Sequence, residues 1–249
     1  GTPREWTVNN FSRTYSGVMT LRKALALSKN TPVVRLLEKI GPEAAINFAR
    51  KAGILSPISP TLSLALGTYE TRLIELTAAY IPFAAMGIRA EPYAIEKITD
   101  ADLRVIYQSS VTRTKIMPRE DAAVMADMLK SVVLEGTGKK AQVIKKEIAG
   151  KTGTSDSYKD ALFIGFNPAL ALGVWVGNDD SRPLGQYETG AKAALPIWID
   201  CMKTVISRQP VQYFDIPDRT KVVYMDLDTG ELSEHQTRKH VRALMKTKG

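Results

Sequence analysis

The chain has 249 residues, of which 44% are hydrophobic and 24% are charged, a balance that suits a folded domain with a substantial core and excludes a disordered segment. Its 34 Lys and Arg residues against 26 Asp and Glu residues give a formal net charge of +8, a mild basic bias that does not by itself identify a partner. The single cysteine, Cys201, excludes an internal disulfide framework and a Cys/His metal cluster, so we expect no metal and no cofactor and interpret Cys201 as a buried core residue.

Apolar residues recur at the spacing of an amphipathic helix over six segments of the chain. In chain order, these segments cover residues 20–27, 33–40, 43–52, 71–86, 119–134 and 191–207. Thr20 can cap the first helix, which should end near Ser28 because Pro32 disfavours the α conformation at Thr31. Pro82 should kink the fourth helix or end it early.

Strand signals occur at two places. Residues 93–107 predict a hairpin, since apolar residues flank an Asp-Ala-Asp turn. Three closely spaced apolar runs then predict antiparallel strands over residues 147–154, 161–166 and 170–177. Residues 161–178 also form the longest uncharged stretch, but Asn167 and Pro168 in its middle favour two buried strands joined by a tight turn rather than a membrane span.

The chain is predicted to consist of a main domain, residues 1–208, and an appendage, residues 209–249. The appendage begins with a linker, and residues 222–232 predict a short hairpin. The last basic residues predict a solvated or frayed tail, because no aromatic side chains are interleaved with them as in a nucleic-acid-binding arm; they are Arg238, Lys239, Arg242, Lys246 and Lys248. His235 and His240 lie in the same polar region, and we interpret both as structural or solvent-facing.

The order of these elements indicates the fold class. Helices come first and consecutive strands later, without a regular βαβ alternation, which predicts an α+β fold with an antiparallel sheet covered by helices. Residues 1–10 are polar and lack the apolar stretch of a signal peptide, so we expect no targeting segment there.

One candidate motif lies on the strand predicted over residues 147–154. There, Lys151, Thr152 and Gly153 are followed by Thr154. Such a strand offers a fixed cation, hydroxyl groups that can bind a substrate carboxylate, and a glycine beside which a substrate can lie close to the backbone. The amide of Thr154 could also be one donor of an oxyanion hole.

A second motif, Ser28-Lys29-Asn30, follows the first predicted helix. In a loop opposite the strand, Ser28 would supply a hydroxyl for proton relay, and Asn30 an amide that binds a peptide bond. The two motifs together fit acyl transfer. Taken separately, they fit equally well a polar loop and an edge strand with a solvated lysine, because three-residue motifs often occur by chance.

The two motifs and several longer segments resemble a known family. S-D-N and K-T-G motifs are typical of penicillin-binding proteins, and the chain resembles the transpeptidase domain of their bifunctional class A members from about residue 6 to residue 208. The segments that carry this resemblance are residues 17–34 (GVMTLRKALALSKNTPVV), 64–87 (LALGTYETRLIELTAAYIPFAAMG), 135–138 (EGTG), 150–155 (GKTGTS), 160–168 (DALFIGFNP) and 174–179 (VWVGND).

The resemblance implies a D,D-transpeptidase that cross-links peptidoglycan through an acyl-enzyme and is a target of β-lactams. In that family a serine attacks the D-Ala-D-Ala bond of a stem peptide, releases the last D-Ala, and passes the acyl group to an amine of a neighbouring stem. By position, Ser28 would carry a proton to the leaving amine, and Asn30 would bind substrate. Lys151 would contact Ser28 and the substrate carboxylate, which Thr152 and Thr154 would also bind.

The resemblance also implies the surroundings of the domain. The complete domain would have an antiparallel sheet of about five strands with helices on both faces. Its partners would be peptidoglycan stem peptides, β-lactam antibiotics and an upstream segment of the same protein, with no role for nucleic acid. The full protein would be anchored in the cell membrane, with a glycosyltransferase domain upstream and the catalytic domain on the periplasmic side.

The nucleophile of that family belongs to an S-x-x-K motif upstream of the S-x-N loop, and no serine of this sequence has Lys at the third position after it. Before Ser28 there are only Ser12 and Ser16, which are followed at that distance by Tyr15 and Met19. We therefore expect the chain to be inactive alone. The serine would lie on a separate chain of a divided protein, or on a truncated segment, or it would be lost from a naturally inactive protein.

Two other classes of function stay open at this point. A D,D-carboxypeptidase or a β-lactamase would use the same motifs for hydrolysis instead of transfer. A non-catalytic module that binds peptidoglycan or a protein would explain the missing nucleophile.

Overall fold

The computed structural model describes residues 7–11, 13–207, 209–237 and 240–247. Its α-helices are, in chain order, α1 (Leu21–Ala26), α2 (Asn30–Ile40), α3 (Pro42–Ala52), α4 (Leu73–Ala78), α5 (Ile81–Ala84), α6 (Arg119–Leu134) and α7 (Leu195–Ile206). Shorter helical segments are the 3-10 helices Leu62–Leu66, Lys139–Ile144 and Asp156–Tyr158 and the π-helical turn Gly190–Ala194. The strands are β1 (Ile88–Ala90), β2 (Lys97–Thr99), β3 (Val105–Gln108), β4 (Arg113–Lys115), β5 (Ala149–Thr154), β6 (Asp160–Phe166), β7 (Ala171–Gly177), β8 (Thr220–Asp226), β9 (Leu232–Ser233) and β10 (His240–Lys246).

The main sheet consists of β5, β6 and β7, paired antiparallel in that order. Helix α7 packs on one face of this sheet, where the ring of Trp198 lies 4.9 Å from the ring of Phe163. Helices α4, α5 and α6 cover the other face, where Tyr80 contacts Phe166. Because side chains alternate along a strand, Phe163 and Phe166 point to opposite faces of β6. The prediction of an antiparallel sheet with helices on both faces is confirmed.

The uncharged stretch of residues 161–178 forms β6, β7 and the turn between them, as predicted. The side chain of Asn167 stabilises this turn, since its Oδ1 accepts hydrogen bonds from the amides of Ala169 (3.0 Å) and Leu170 (2.8 Å). The indole Nε1 of Trp198 donates to the carbonyl of Leu172 at 2.8 Å and fixes α7 against β7. In the part of the chain that the structure describes, no helix combines the length and apolarity needed to cross a bilayer.

Two-stranded ribbons lie between α5 and α6. Strand β1 pairs with β4, and β2 pairs with β3, so the hairpin predicted over residues 93–107 is present. Its turn is held by Asp100, whose Oδ1 accepts from the amides of Asp102 (3.0 Å) and Arg104 (2.8 Å). The acidic residue that signalled a turn in the sequence therefore stabilises it directly.

Helix α6 has the predicted bounds and links α1 to the main sheet. The residues that form its buried apolar face are Ala122, Ala126, Leu129 and Val132. Near its middle, the buried carboxylate of Asp127 accepts from the guanidinium of Arg22 on α1 at 2.6 Å. Arg22 also donates to the hydroxyl of Ser131 at 3.0 Å. Helix α1, which precedes the Ser28 turn, is therefore fixed to α6 by a buried and well-satisfied charge pair.

One helix boundary differs from the prediction, and the interruption expected at Pro82 is present. Helix α2 begins at Asn30, three residues earlier than expected, because the Oδ1 of Asn10 accepts from the amides of Asn30 (3.0 Å) and Thr31 (3.3 Å) and satisfies the first turn from outside the helix. Pro32 in that turn is tolerated, since the amide it lacks would have no partner within the helix. The predicted fourth helix is divided into α4 and α5, with Pro82 in the first turn of α5.

The end of the chain is more ordered than the sequence predicted. Strands β8 and β9 form the expected hairpin, but β10 pairs with the full length of β8, so the interpretation as a frayed tail is wrong for residues 240–246. Arg242 and Lys246 form ion pairs with Asp127 (3.5 Å) and Asp121 (2.7 Å) of α6. Charge pairing with a distant helix therefore orders these basic side chains. The remaining residues of the predicted tail, Arg238, Lys239 and Lys248, lie outside the described residues.

Two further interpretations concern single side chains. Cys201 is exposed on α7, so its interpretation as a core residue is wrong; the buried stripe of that helix passes through Trp198 and Met202 instead. His235 is exposed, and His240 is half-buried with its Nδ1 2.6 Å from the hydroxyl of Thr237.

Candidate active site

The two sequence motifs meet in space. The Nζ of Lys151 on β5 donates to the Oγ of Ser28 at 2.7 Å and to the carbonyl of Thr152 at 3.0 Å. Strand β5 enters the site from the core, since Ala149 and Gly150 before Lys151 are buried between α6 and β6. The serine of the loop and the lysine of the strand therefore form one site.

Ser28 occupies a strained backbone position at the end of α1. The amide of Lys29 donates to the carbonyl of Ala24 (2.9 Å), and the amide of Ser28 to that of Leu25 (3.2 Å), which is the bonding pattern of a Schellman helix terminus. In that motif the residue at the position of Ser28 is left-handed and is usually glycine, and Ser28 has φ of 53°. A non-glycine residue there costs about 1 kcal/mol, a cost that is typical of functional positions.

Among the residues that the structure describes, Lys151 forms no ion pair with a carboxylate. Burial lowers the pKa of Lys151 to about 8, because desolvation disfavours the ammonium. A lysine in this state can attract a substrate anion and can also exchange a proton with the hydroxyl of Ser28 near neutral pH.

The structure places Asn30 in the same turn as Ser28, at the first position of α2. Its side-chain Nδ2 donates to the carbonyl of Asn9 at 2.8 Å, and its backbone amide donates to Asn10. No sequence pattern singled out Asn9 and Asn10, because their contact with the loop depends on how the chain before α1 folds back over it. Asn30 is thus held in place by two neighbours.

The other predicted residues of the strand face different partners. The hydroxyl of Thr152 lies 2.7 Å from the hydroxyl of Thr137, which follows α6. The Oγ1 of Thr154 accepts from the amide of Gly190 at 3.1 Å, and Thr154 is exposed. Gly190 packs so closely on Gly153 that a Cβ at position 190 would collide with the carbonyl of Gly153. Sequence reasoning assigned no role to Thr137 or Gly190; for Thr137, the signal was its place in the EGTG segment.

The site thus places the hydroxyl of Ser28 beside the desolvated ammonium of Lys151. The strand that carries Lys151 also carries the hydroxyls of Thr152 and Thr154. Such a set can bind a carboxylate and move a proton, which acyl transfer requires. Within the described ranges, no three His, Cys, Asp or Glu side chains cluster in a way that could hold a metal ion.

Comparisons with known proteins agree with this chemistry. A family model described as Penicillin binding protein transpeptidase domain matches residues 2–197. The chain is 42% identical over 219 residues to Penicillin-binding protein 1A of Aquifex aeolicus and 38% identical over 221 residues to Penicillin-binding protein 1A of Neisseria lactamica. These alignments cover 88% and 86% of this chain but only 30% and 28% of the relatives, so the chain spans less than a third of their length.

Solved structures share the fold. The crystal structure of Penicillin-Binding Protein 1A from Haemophilus influenzae matches 98% of this chain and 42% of its own, with a TM-score of 0.87 and 27% identity. PonA1 from Mycobacterium tuberculosis, in complex with penicillin V, matches 92% of this chain and 65% of its own, with a TM-score of 0.74 and 25% identity.

Proposed function

The chain belongs to the penicillin-binding protein transpeptidase family, and from that premise we propose that its site takes part in the cross-linking of peptidoglycan stem peptides. The reaction would be D,D-transpeptidation through an acyl-enzyme, and β-lactams would acylate the same enzyme. The observation that carries the proposal is the 2.7 Å contact between the Nζ of Lys151 and the Oγ of Ser28, because it joins the two motifs in the arrangement that proton relay needs.

Each residue of the site has a role in this proposal. Ser28 carries a proton between the reacting centre and the leaving amine, and Lys151 holds its hydroxyl and attracts the substrate carboxylate. Thr152 and Thr154 bind that carboxylate through their hydroxyl groups, and Gly153 leaves room for the substrate beside the strand. Asn30 binds the stem peptide. The amide of Thr154 is one donor to the oxyanion. The desolvated ammonium and the strained position of Ser28 support these roles.

The acylating serine lies, in this proposal, outside these 249 residues and in the same polypeptide. No serine of the sequence is followed by Lys at the third position, and the relatives are about three times longer than the matched region. The full protein would be anchored in the cell membrane with this domain on the periplasmic side. Residues 1–208 would be the major part of the transpeptidase domain, and residues 209–249 an appendage to it.

Labelled penicillin tests the proposal. The full-length product of the gene that encodes this chain should become covalently labelled, whereas the 249-residue chain alone should not, because it lacks the nucleophile. Failure of the full-length protein to take up label would contradict the enzyme and favour a non-catalytic binding module. Rapid and continued hydrolysis of the β-lactam, without lasting label, would instead favour a hydrolase.

A further inference from the structure

The turn between α6 and the 3-10 helix Lys139–Ile144 contacts both sides of the site. The amide of Thr137 donates to the carbonyl of Ala26, two residues before Ser28, at 3.1 Å. The hydroxyl of Thr137 lies 2.7 Å from the hydroxyl of Thr152, the residue after Lys151. This one residue therefore joins the end of α1 to strand β5.

The turn itself is held by backbone groups. The amides of Gly136 (3.2 Å) and Gly138 (2.9 Å) both donate to the carbonyl of Val132, at the end of α6. A Cβ at Gly136 would collide with the carbonyl of Ala26, so only glycine allows the turn to lie this close to α1. Backbone bonds and close packing thus fix the position of Thr137, and its hydroxyl is available to act on β5.

We propose that Thr137 is a positioning residue for carboxylate recognition, which it performs by donating its hydroxyl proton to the oxygen of Thr152. This inference rests on the proposed function, in which Thr152 binds the substrate carboxylate. A carboxylate only accepts hydrogen bonds, so Thr152 must donate its own proton to it. The other partner of that hydroxyl must then be a donor, and the group at that distance is the hydroxyl of Thr137.

The polarity of this chain of hydroxyls has two consequences. Donation from Thr137 holds the Oγ1 of Thr152 in one orientation, with its proton directed away from Thr137 and toward the incoming anion. Consecutive hydrogen bonds in one direction also polarise each other, so the bond from Thr152 to the carboxylate is strengthened. Thr137 acts through Thr152 and touches no reacting atom.

Thr137 also provides a second connection between the region of Ser28 and strand β5, in addition to the contact between Ser28 and Lys151. One link runs from Ser28 to Lys151 at 2.7 Å, and the other runs from Ala26 through Thr137 to Thr152. Both links join the end of α1 and the turn after it to adjacent residues of β5, so each helps to set the position of the strand relative to that turn. Loss of one link leaves the carboxylate-binding end of the strand less well oriented.

The test uses the full-length gene product with Thr137→Val, which keeps the shape of the side chain and removes the hydroxyl, and Thr137→Ser, which keeps the hydroxyl. The second-order rate constant of acylation is measured with benzylpenicillin and with its carboxylate methyl ester. We expect Thr137→Val to slow acylation by the acid about tenfold, the effect of one weakened hydrogen bond to a charged group, and to leave acylation by the ester within about twofold. Thr137→Ser should react with both at nearly the wild-type rate.

A matched control is Thr204→Val on α7, which should behave as wild type. Within the described residues, the hydroxyl of Thr204 donates only to the carbonyl of Asp200 in the same helix. The inference would be overturned if Thr137→Val slowed acylation by the acid and by the ester equally. It would also be overturned if Thr137→Ser slowed acylation by the acid as much as Thr137→Val does, because the loss would then not depend on the donated proton. Unchanged rates in Thr137→Val would overturn it too. Absence of labelling in the wild-type protein would instead overturn the proposed function.

If Thr137→Val does not fold, Thr137→Ala, which also removes the hydroxyl, takes its place and is combined with Thr152→Val. With Thr152 unable to donate to the carboxylate, Thr137→Ala should slow acylation by the acid no further than Thr152→Val does alone, and a further loss in the double variant would overturn the inference. If Thr152→Val were acylated by the acid at the wild-type rate, the hydroxyl of Thr152 would not donate to the carboxylate, and Thr137 could not act through it.

Discussion

The ammonium of Lys151 and the hydroxyl of Ser28 are 2.7 Å apart, although 123 positions separate them in the chain. This contact places a desolvated cation beside the strained residue of the loop. The protonation state of Lys151 should therefore govern how the site recognises anionic substrates.

The pH dependence of acylation should show the titration of Lys151. The pKa of Lys151 is lowered to about 8, so the ammonium is present below that pH and is lost as the pH rises through it. The second-order rate constant of acylation by benzylpenicillin should therefore fall about tenfold for each pH unit above this pKa. The profile is measured with the full-length protein between pH 6 and pH 10.

The matched variant is Lys151→Arg, whose guanidinium stays charged over that range. Its profile should lack the bend near pH 8, whatever its absolute rate. A bend at the same pH in both proteins would assign the titration to another group.

The left-handed backbone at Ser28 predicts a difference between two substitutions. Both Ser28→Gly and Ser28→Ala remove the hydroxyl that Lys151 contacts, but only glycine adopts φ of 53° without strain. Ser28→Gly should therefore be more stable to urea than Ser28→Ala by about 1 kcal/mol. Both should lose about 10²- to 10⁴-fold in acyl transfer by the full-length protein if Ser28 relays the proton. Equal stability of the two variants would show that this position is not left-handed in solution.

The buried pair of Arg22 and Asp127 should carry a large share of stability. Asp127→Ala leaves the guanidinium of Arg22 and the amide of Leu244, which donates to the same carboxylate at 2.8 Å, without their acceptor. We expect a loss of about 3–5 kcal/mol in the free energy of unfolding. Asp121→Ala, which breaks the exposed pair with Lys246, should cost no more than about 1 kcal/mol. Similar losses in the two variants, measured by urea unfolding, would contradict the role of burial.

Cys201 should react with a thiol reagent in the folded protein. Its side chain is exposed on α7, so native and denatured chains should both react with one equivalent of a maleimide, and the native reaction should not unfold the protein. Reaction only after denaturation would restore the interpretation of a buried residue. Circular dichroism of the modified protein checks that the fold is retained.

Much of the fold was predictable because it depends on local pattern. The spacing of apolar residues identified α6 with its correct ends, and the uncharged stretch identified β6, β7 and the turn at Asn167. The start of α2 was missed for a non-local reason. Helix α2 starts early because Asn10, which belongs to the chain before α1, supplies the acceptor for its first amides. A pattern within the helix contains no information about such a partner.

The candidate site was likewise predictable only in part. The motifs around Ser28 and Lys151 predicted the candidate residues, because acyl transfer needs particular side chains that can be recognised in the sequence. The partners of those residues were not visible: Thr137 reaches Thr152 only after α6 has packed on β5, and Gly190 reaches Thr154 only after the turn before α7 has packed on the same strand. The charges of Arg242 and Lys246 resembled a solvated tail until their acidic partners on α6 were known.

The sequence alone determined the fold class, most helices and strands, and the residue types available for acyl transfer, since apolar periodicity and motif spacing are properties of short segments. Tertiary structure decided which polar groups meet, how far the pKa of Lys151 falls, and why Ser28 adopts a glycine conformation. The physical reason is that desolvation and hydrogen bonding depend on atoms brought together from distant segments, and the packing of the core sets those distances.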